Sequence, residues 1–323
     1  MVLSTRSMVF NVILFIGYCF CLGRAIDCGG NLVAKTITVD QKGRGMFKRI
    51  QQAVDSIKHN NDRWIKIQIM PGKYREEISI PYDKPCIILK GSDRRTTTIY
   101  DDDIQSKAIF TSSPPNVVLS GITIENTHGS NGKAVAATIF GNNSAIFDCS
   151  FLGYQDTLWD ALGRHYYKNC YIQGEVDFIF GQAQSYFEDC VINATQGHAQ
   201  PAGFITAQRR YSSTESTGFI FKGGRVEGIG KVHLGRAWGP YSRVLFWGTH
   251  LSAVVLPQGW NAWNYQGQEN NFVYAEIDCT GPGANTRERV KWTKKQHKEI
   301  NIQEYSLSSF INKDGWLAHI PKL

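Results

Sequence analysis

The sequence predicts an all-β fold, a single solenoid of stacked coils read as a parallel β-helix. Three observations point there. The segments Phe147-Asp148-Cys149-Ser150-Phe151, Tyr167-Lys168-Asn169-Cys170-Tyr171-Ile172 and Phe187-Glu188-Asp189-Cys190-Val191-Ile192 repeat one pattern at steps of 21 and then 20 residues, as stacked repeats do. Within these runs apolar and polar residues alternate with period two, the mark of strands with one buried face. Helical periodicity is nearly absent between residues 60 and 290, which argues against leucine-rich or doubly wound folds, where a helix follows each strand.

The elements follow in chain order. Residues 1–25 read as a secretory signal. Arg6 precedes an uncharged apolar stretch over 8–22, and Gly23-Arg24-Ala25 offers a small-residue cleavage site. That stretch is short of the ~20 residues a membrane span needs, so no stable membrane insertion is expected after its removal. Residues 26–323 form one domain, because no low-complexity linker divides them. A short strand is expected over 36–39 and a turn at Gly43-Arg44-Gly45. Phe47, Ile50, Val54 and Ile57 then mark one face of an amphipathic helix, suited to cap the open N-terminal end of a solenoid. Strand structure resumes over 65–70, and weaker copies of the repeat at 117–124 and 218–224 carry the coils to about residue 250. A stretch with Trp260 and Trp263 follows. The polar tail from Lys294 ends in Phe310, Ile311, Trp316 and Leu317, which are expected to pack back on the last coils.

Charge and cysteines narrow the setting. The formal charge is +7, and +5 once Arg6 and Arg24 leave with the signal. A basic secreted protein is drawn to an acidic polymer matrix. Nucleic acid is not indicated, since Lys and Arg are scattered and the one dense basic run, over 291–298, reads as solvated surface. Two glycosylation sequons, at Asn142 and Asn193, fit secretion. Of eight cysteines six remain after cleavage. Cys149, Cys170 and Cys190 stack on successive coils ~4.8 Å apart, within reach of a disulfide; a ladder of buried thiols is the favoured reading. Asp101-Asp102-Asp103 reads as a solvated turn rather than a calcium site, and no metal-binding motif occurs.

Asp156 and Asp177 carry the chemistry. Each lies seven residues after a cysteine, and they are one period of 21 residues apart. Neighbouring coils therefore set the two carboxyls face to face. Asp beside Gly is ordinarily a turn residue, but Val176, Phe178, Ile179 and Phe180 desolvate Asp177. Two close carboxyls cannot both ionise readily, so one pKa is expected to rise and the other to fall. That split supplies an acid and a nucleophile or base, as ester hydrolysis requires. Gln155, at a turn, can aim a neutral amide at a developing oxyanion; the alternative is a surface Gln. Arg236 can hold a carboxylate through a bidentate pair. Trp238, Trp260 and Trp263 can stack on sugar rings or serve as core.

These motifs resemble those of plant pectinesterases, the pectin methylesterases of the cell wall. The resemblance runs from about residue 33 to the C-terminus. It rests on Gly72-Lys73-Tyr74-Arg75-Glu76, the Gly-Tyr-Gln-Asp-Thr-Leu block at 153–158, the Asp-Phe-Ile-Phe-Gly block at 177–181 and Leu-Gly-Arg-Ala-Trp-Gly at 234–239. Arg289-Val290-Lys291-Trp292 and the tail around Phe310 and Trp316 add to it. The resemblance implies a right-handed coil and no cofactor. Many members carry an N-terminal inhibitor-like domain; with only about ten residues between the signal and the matching region, it is expected to be absent here. By resemblance, Asp177 is the nucleophile toward galacturonate methyl esters, Asp156 the general acid and base, Gln155 an oxyanion donor and Arg236 the residue that fixes Asp177. Substrate contacts are expected from Lys133, Trp238, Phe178, Tyr154 and Trp260. The expected partners are methyl-esterified pectin and a proteinaceous pectinesterase inhibitor; the expected state is a secreted monomer in the cell wall. Two positions depart from the family pattern. Ala237 replaces a proline, which is expected to loosen its loop. Lys133 replaces a glutamine that is a second oxyanion donor, and a lysine there is expected to lower the pKa of Asp156 and with it the activity. This opens two alternatives, a weakly active or inactive pectin-binding wall protein and a pectin-depolymerising enzyme on the same scaffold. The latter draws on Gly197-His198-Ala199 and Arg289-Val290-Lys291.

Overall fold

The computed structural model describes residues 26–102, 107–128, 132–195 and 202–323. The signal segment and Gly197-His198-Ala199 lie outside these residues. Among the described residues every strand pair is parallel, and the strands sort into three sheets of ten, eight and eight strands. After the first two strands, which are neighbours in the ten-stranded sheet, each sheet takes one strand in three along the chain, so each further coil adds a rung to all three. This is the parallel β-helix. It extends further than expected: the last rung of the ten-stranded sheet is Val273–Ile277, and Trp260 belongs to a rung of an eight-stranded sheet.

The corners explain the repeat. Asp148, Asn169 and Asp189 each adopt left-handed backbone, with φ of 53°, 54° and 52°. Asn and Asp tolerate this region best among residues with a side chain, and each directly precedes a ladder cysteine. The chain turns at the Asp or Asn, and Cys149, Cys170 and Cys190 drop into the interior. All three are buried free thiols, as favoured from the sequence. The pairing that does form, Cys28–Cys86, closes the N-terminal end; nothing in the spacing singled it out.

Stacking fills the interior of the coil. Tyr167, Phe187, Phe221 and Phe246 form a column of near-parallel rings with centroids 4.5, 4.6 and 4.5 Å apart, the spacing of the strands that carry them. The column packs with the aliphatic residues of every coil into one core.

The capping helix is present but short, Ile50–Asp55, with Ile50, Ala53, Val54 and, beyond its end, Ile57 buried. Phe47 precedes it, on an isolated bridge to Val39. No residue at the helix start caps it locally. Instead the Glu76 carboxylate accepts from the amides of Ile50 (3.0 Å) and Gln51 (3.2 Å), where the helix leaves its first N–H groups unpaired.

The tail reaches further back than the last coils. Ile300, Ile302, Tyr305, Phe310, Ile311 and Trp316 form a second apolar cluster with the outward face of the ten-stranded sheet, including Val118, Ala145, Tyr166 and Ile220. Arg164, in the middle of the solenoid, bonds the Asp314 carboxylate at 2.8 and 2.9 Å. The tail thus straps the second half of the sheet, back to the strand that carries Arg164.

Candidate active site

The site forms on one edge of the eight-stranded sheet that contains Leu158–Asp160, Val176–Gly181, Gly203–Gln208 and Val232–Ala237. Isolated parallel bridges link Lys133 to Gln155 and Gln155 to Val176. The Asp156 amide donates to the Val176 carbonyl at 3.0 Å. These contacts put Lys133, Gln155 and Val176 on three consecutive rungs and Asp156 over Asp177. Both aspartates have left-handed backbone, φ 61° and 48°, an unfavourable state that recurs at functional positions. Close packing supports the turn: a Cβ on Gly174 would lie 2.3 Å from Cβ of Phe178, so only glycine lets Phe178 turn inward while Asp177 faces out.

Asp177 is held rigidly. Arg236, from the strand two rungs on, donates Nε to one carboxylate oxygen at 2.8 Å and Nη2 to the other. The guanidinium is itself clamped, 4.4 Å from the Phe204 ring centroid and 3.7 Å from that of Trp263. A stacked, bidentate Arg fixes a carboxylate in one plane.

Both aspartates are only 6 % exposed, and burial dominates their titration. Burial, together with the negative charge of Asp177, pushes Asp156 up to about 6, against the opposing pull of Lys133 and Gln155. Burial also raises Asp177, while Arg236 pulls the other way. The expected split of one pKa up and one down is therefore corrected. What separates the two acids is the partner: Asp177 has a guanidinium on both oxygens, and Asp156 faces an anion. Lys133 is where the sequence placed it, its ammonium 3.5 Å from Asp156. Its pull is weaker than burial, so Asp156 stays raised. The side chain is 61 % exposed, and water screens it.

Other expected contacts divide. Trp238 is half-buried beside Phe180, ring centroids 5.9 Å apart, and lines a cavity of about 220 Å³ with Phe140, Trp159, Leu162 and Arg209. Tyr154 is half-buried next to Gln155, and its carbonyl accepts from Glu175. Phe178 and Trp260 are corrected. Phe178 is fully buried in the core. Trp260 stacks on Tyr274 inside the coil, its indole N–H donating to Glu276 at 2.9 Å. A left-handed Asp177 shifts the side-chain alternation after it, which put Phe178 inside. Ala237 does not loosen a loop: it is fully buried in its strand, in register with Gln208. Arg289 is equally structural, completely buried on Glu276 through two bonds of 2.7 Å.

The sequence reading missed Trp159 as a cleft residue. Trp159 is 36 % exposed and stacks on Phe180 at 5.7 Å; the two are register partners, so the 21-residue period that paired the aspartates also pairs these rings. Phe204 and Trp263 as clamps of Arg236 carry no such signal.

Comparison with known proteins agrees with this geometry. The family model described as Pectinesterase matches residues 36–314. "Probable pectinesterase 29" of Arabidopsis thaliana is 45 % identical over 94 % of this chain and 95 % of its own. "Probable pectinesterase 55" of the same plant is 44 % identical over 94 % and 95 %. Among solved structures, a pectin methylesterase from carrot superposes with a TM-score of 0.84 at 29 % identity, covering 89 % of this chain and 97 % of that one. A parallel β-helix with two buried aspartates on adjacent rungs is therefore no isolated likeness: the chain belongs to the pectinesterase family.

Proposed function

We propose that this enzyme hydrolyses galacturonate methyl esters of pectin outside the cell, with Asp177 as nucleophile and Asp156 as general acid and base. The observation that carries this reading is the Arg236–Asp177 fork beside a carboxyl raised to about 6. Arg236 orients an ionised Asp177, whose oxygen attacks the ester carbonyl. Negative charge gathers on the carbonyl oxygen, next to the Gln155 amide and the Lys133 ammonium. Asp156, protonated at mildly acid pH, gives its proton to the departing methoxide, and methanol leaves an acyl-Asp177 anhydride. Asp156, now ionised, takes a proton from water; hydroxide opens the anhydride and restores both acids. The disulfide Cys28–Cys86 supports an oxidising, extracellular setting. A pectin-binding protein without activity is the less supported reading, because Lys133 leaves Asp156 raised. Depolymerisation loses its support from Arg289, which is tied up on Glu276. Methanol release from methylated pectin tests the assignment: it should vanish in Asp177→Asn and fall steeply in Asp156→Asn. Full activity in Asp177→Asn would refute it.

A further inference from the structure

The C-terminal tail covers the outward face of the ten-stranded sheet without filling the space beneath it. Between the two lies a cavity of about 460 Å³, on a different face of the coil from the cleft that holds Asp156 and Asp177. Gln184 and Arg243, from two strands of that sheet, line one side, and Tyr305, Phe310 and Lys313 of the tail line the other.

Arg243 is the informative residue. Its stem lies against Gly218, where a Cβ would come within 2.7 Å of Cδ, so the backbone of the neighbouring rung sets its course. Nη1 donates to the Ser216 carbonyl at 3.2 Å, and the guanidinium stands 5.8 Å from the Tyr305 ring centroid. Nε is buried and has no hydrogen-bond partner among the described residues. A charged donor removed from water and left without an acceptor is costly. A second guanidinium is close enough to feel it: burial, and then the charge of Arg243, bring Arg210 down to about 10. Arg210 spends its donors on the carbonyls of Ser213, Glu215 and Tyr241. Neither arginine has an ion pair with a carboxylate among the described residues.

The surroundings of this uncompensated charge say which anion fits. Lys313, exposed on the tail, adds a further cation. Glu304 is the one carboxylate among the described lining residues, and it already accepts from the Asn301 amide at 3.0 Å. Tyr305 and Phe310, ring centroids 6.0 Å apart, offer apolar surface between amide and hydroxyl groups. Rings among neutral hydrogen-bonding groups suit a sugar, and a guanidinium edge suits a carboxylate on it. A bare inorganic anion would use the cations and leave the rings and amides untouched.

We propose that this cavity binds a free uronate of an acidic polysaccharide, its carboxylate on Arg243 and Lys313, as an anchoring site apart from the catalytic cleft. The inference takes its ligand from the pectinesterase reading and rests on it. The polymer that catalysis de-esterifies then serves as a tether for the enzyme. A bound uronate also joins tail to sheet, so occupancy holds residues 300–316 down.

Hydrogen exchange of the tail amides tests this, because a galacturonate trimer also reaches the cleft and only a local readout separates the two places. In wild type the trimer should slow exchange over residues 300–316, while a neutral galactose trimer and sulfate at equal concentration should not. Half-protection should need about tenfold more trimer in Arg243→Gln and in Lys313→Glu, and more again as salt is added. Lys313 is exposed, so its variant decides the matter if Arg243→Gln does not fold. Both variants should keep the wild-type kcat/KM on a short methylated oligomer, since neither residue lies in the cleft. No tail protection in wild type, equal protection by sulfate, or protection undiminished in Lys313→Glu overturns the proposal. Methanol release without tail protection sinks the anchoring site alone. Tail protection in an enzyme that releases no methanol sinks the esterase reading and leaves the uronate site standing.

Discussion

The Lys133 ammonium stands 3.5 Å from the Asp156 carboxylate, and Asp156 still titrates well above an ordinary aspartate. Burial and the anion of Asp177 outweigh an exposed cation that water screens. Lys133 therefore trims the pKa of the acid without setting it.

Lys133→Gln should shift the pH profile. On the proposed mechanism the first step needs Asp156 protonated, so kcat/KM should fall as pH rises through its pKa, near 6. Lys133 lowers that pKa; removing it raises it and moves the alkaline limb upward, by about half a unit for a screened pair. Methanol release between about pH 4 and 9 checks this, and identical curves would reject any role for Lys133 in the titration.

Arg236→Lys is not conservative here. A lysine cannot fork onto both oxygens of Asp177 or fill the slot between Phe204 and Trp263. We expect kcat to drop by about 10²–10³. The guanidinium now opposes the burial that raises Asp177; weakening it raises the pKa further, and the acidic limb moves to higher pH because the nucleophile must be ionised. A drop in kcat without that shift would mean that Arg236 acts by packing alone.

Arg289→Met should unfold rather than inactivate. It leaves Glu276 buried without a counter-charge, at a cost of about 3–5 kcal/mol, read from denaturant midpoints. Replacing both partners, Arg289→Met with Glu276→Leu, should recover much of the loss, although the Trp260 N–H then loses its acceptor. A double variant no more stable than the single one would show that this cluster is not limited by charge burial.

Reducing Cys28–Cys86, or substituting Cys86→Ala, should cost about 2–4 kcal/mol. The thiols of Cys149, Cys170 and Cys190 should resist alkylation until the chain unfolds, since they are buried and, for Cys149 and Cys190, desolvation holds the proton on sulfur. Denaturant midpoints read the first effect, and mass spectrometry of the labelled native protein reads the second. Labelling of the ladder at the global unfolding rate agrees; rapid native labelling would mean that the coil opens locally at that corner.

What the sequence disclosed depended on the coil period. Residues repeated at 20 or 21 steps, such as the cysteine ladder and the two aspartates, could be placed by arithmetic, because parallel strands convert sequence period into spatial adjacency. Contacts across unequal loops could not be. Arg236 reaches Asp177 across 59 residues, and only the family resemblance assigned it. Phe178 was misplaced because strict alternation fails at a residue with positive φ, and Trp260 because tryptophan near a site looks the same in sequence whether it faces a sugar or Tyr274. Glu76 showed itself as part of a motif, but its work on the amides of Ile50 and Gln51 needs the fold.

The strap formed by the C-terminal residues has a consequence for how this molecule is made. Its anchor, Asp314, meets Arg164 across 150 positions of chain, so most of the solenoid can coil while the ribosome still holds the end. Until residues 300–316 emerge, Val118, Ala145, Tyr166 and Ile220 remain open to water along an oily outer stripe. A nascent or truncated chain that stops before Phe310 would carry a finished catalytic cleft on a sticky back, and its fate would be decided by self-association rather than by chemistry.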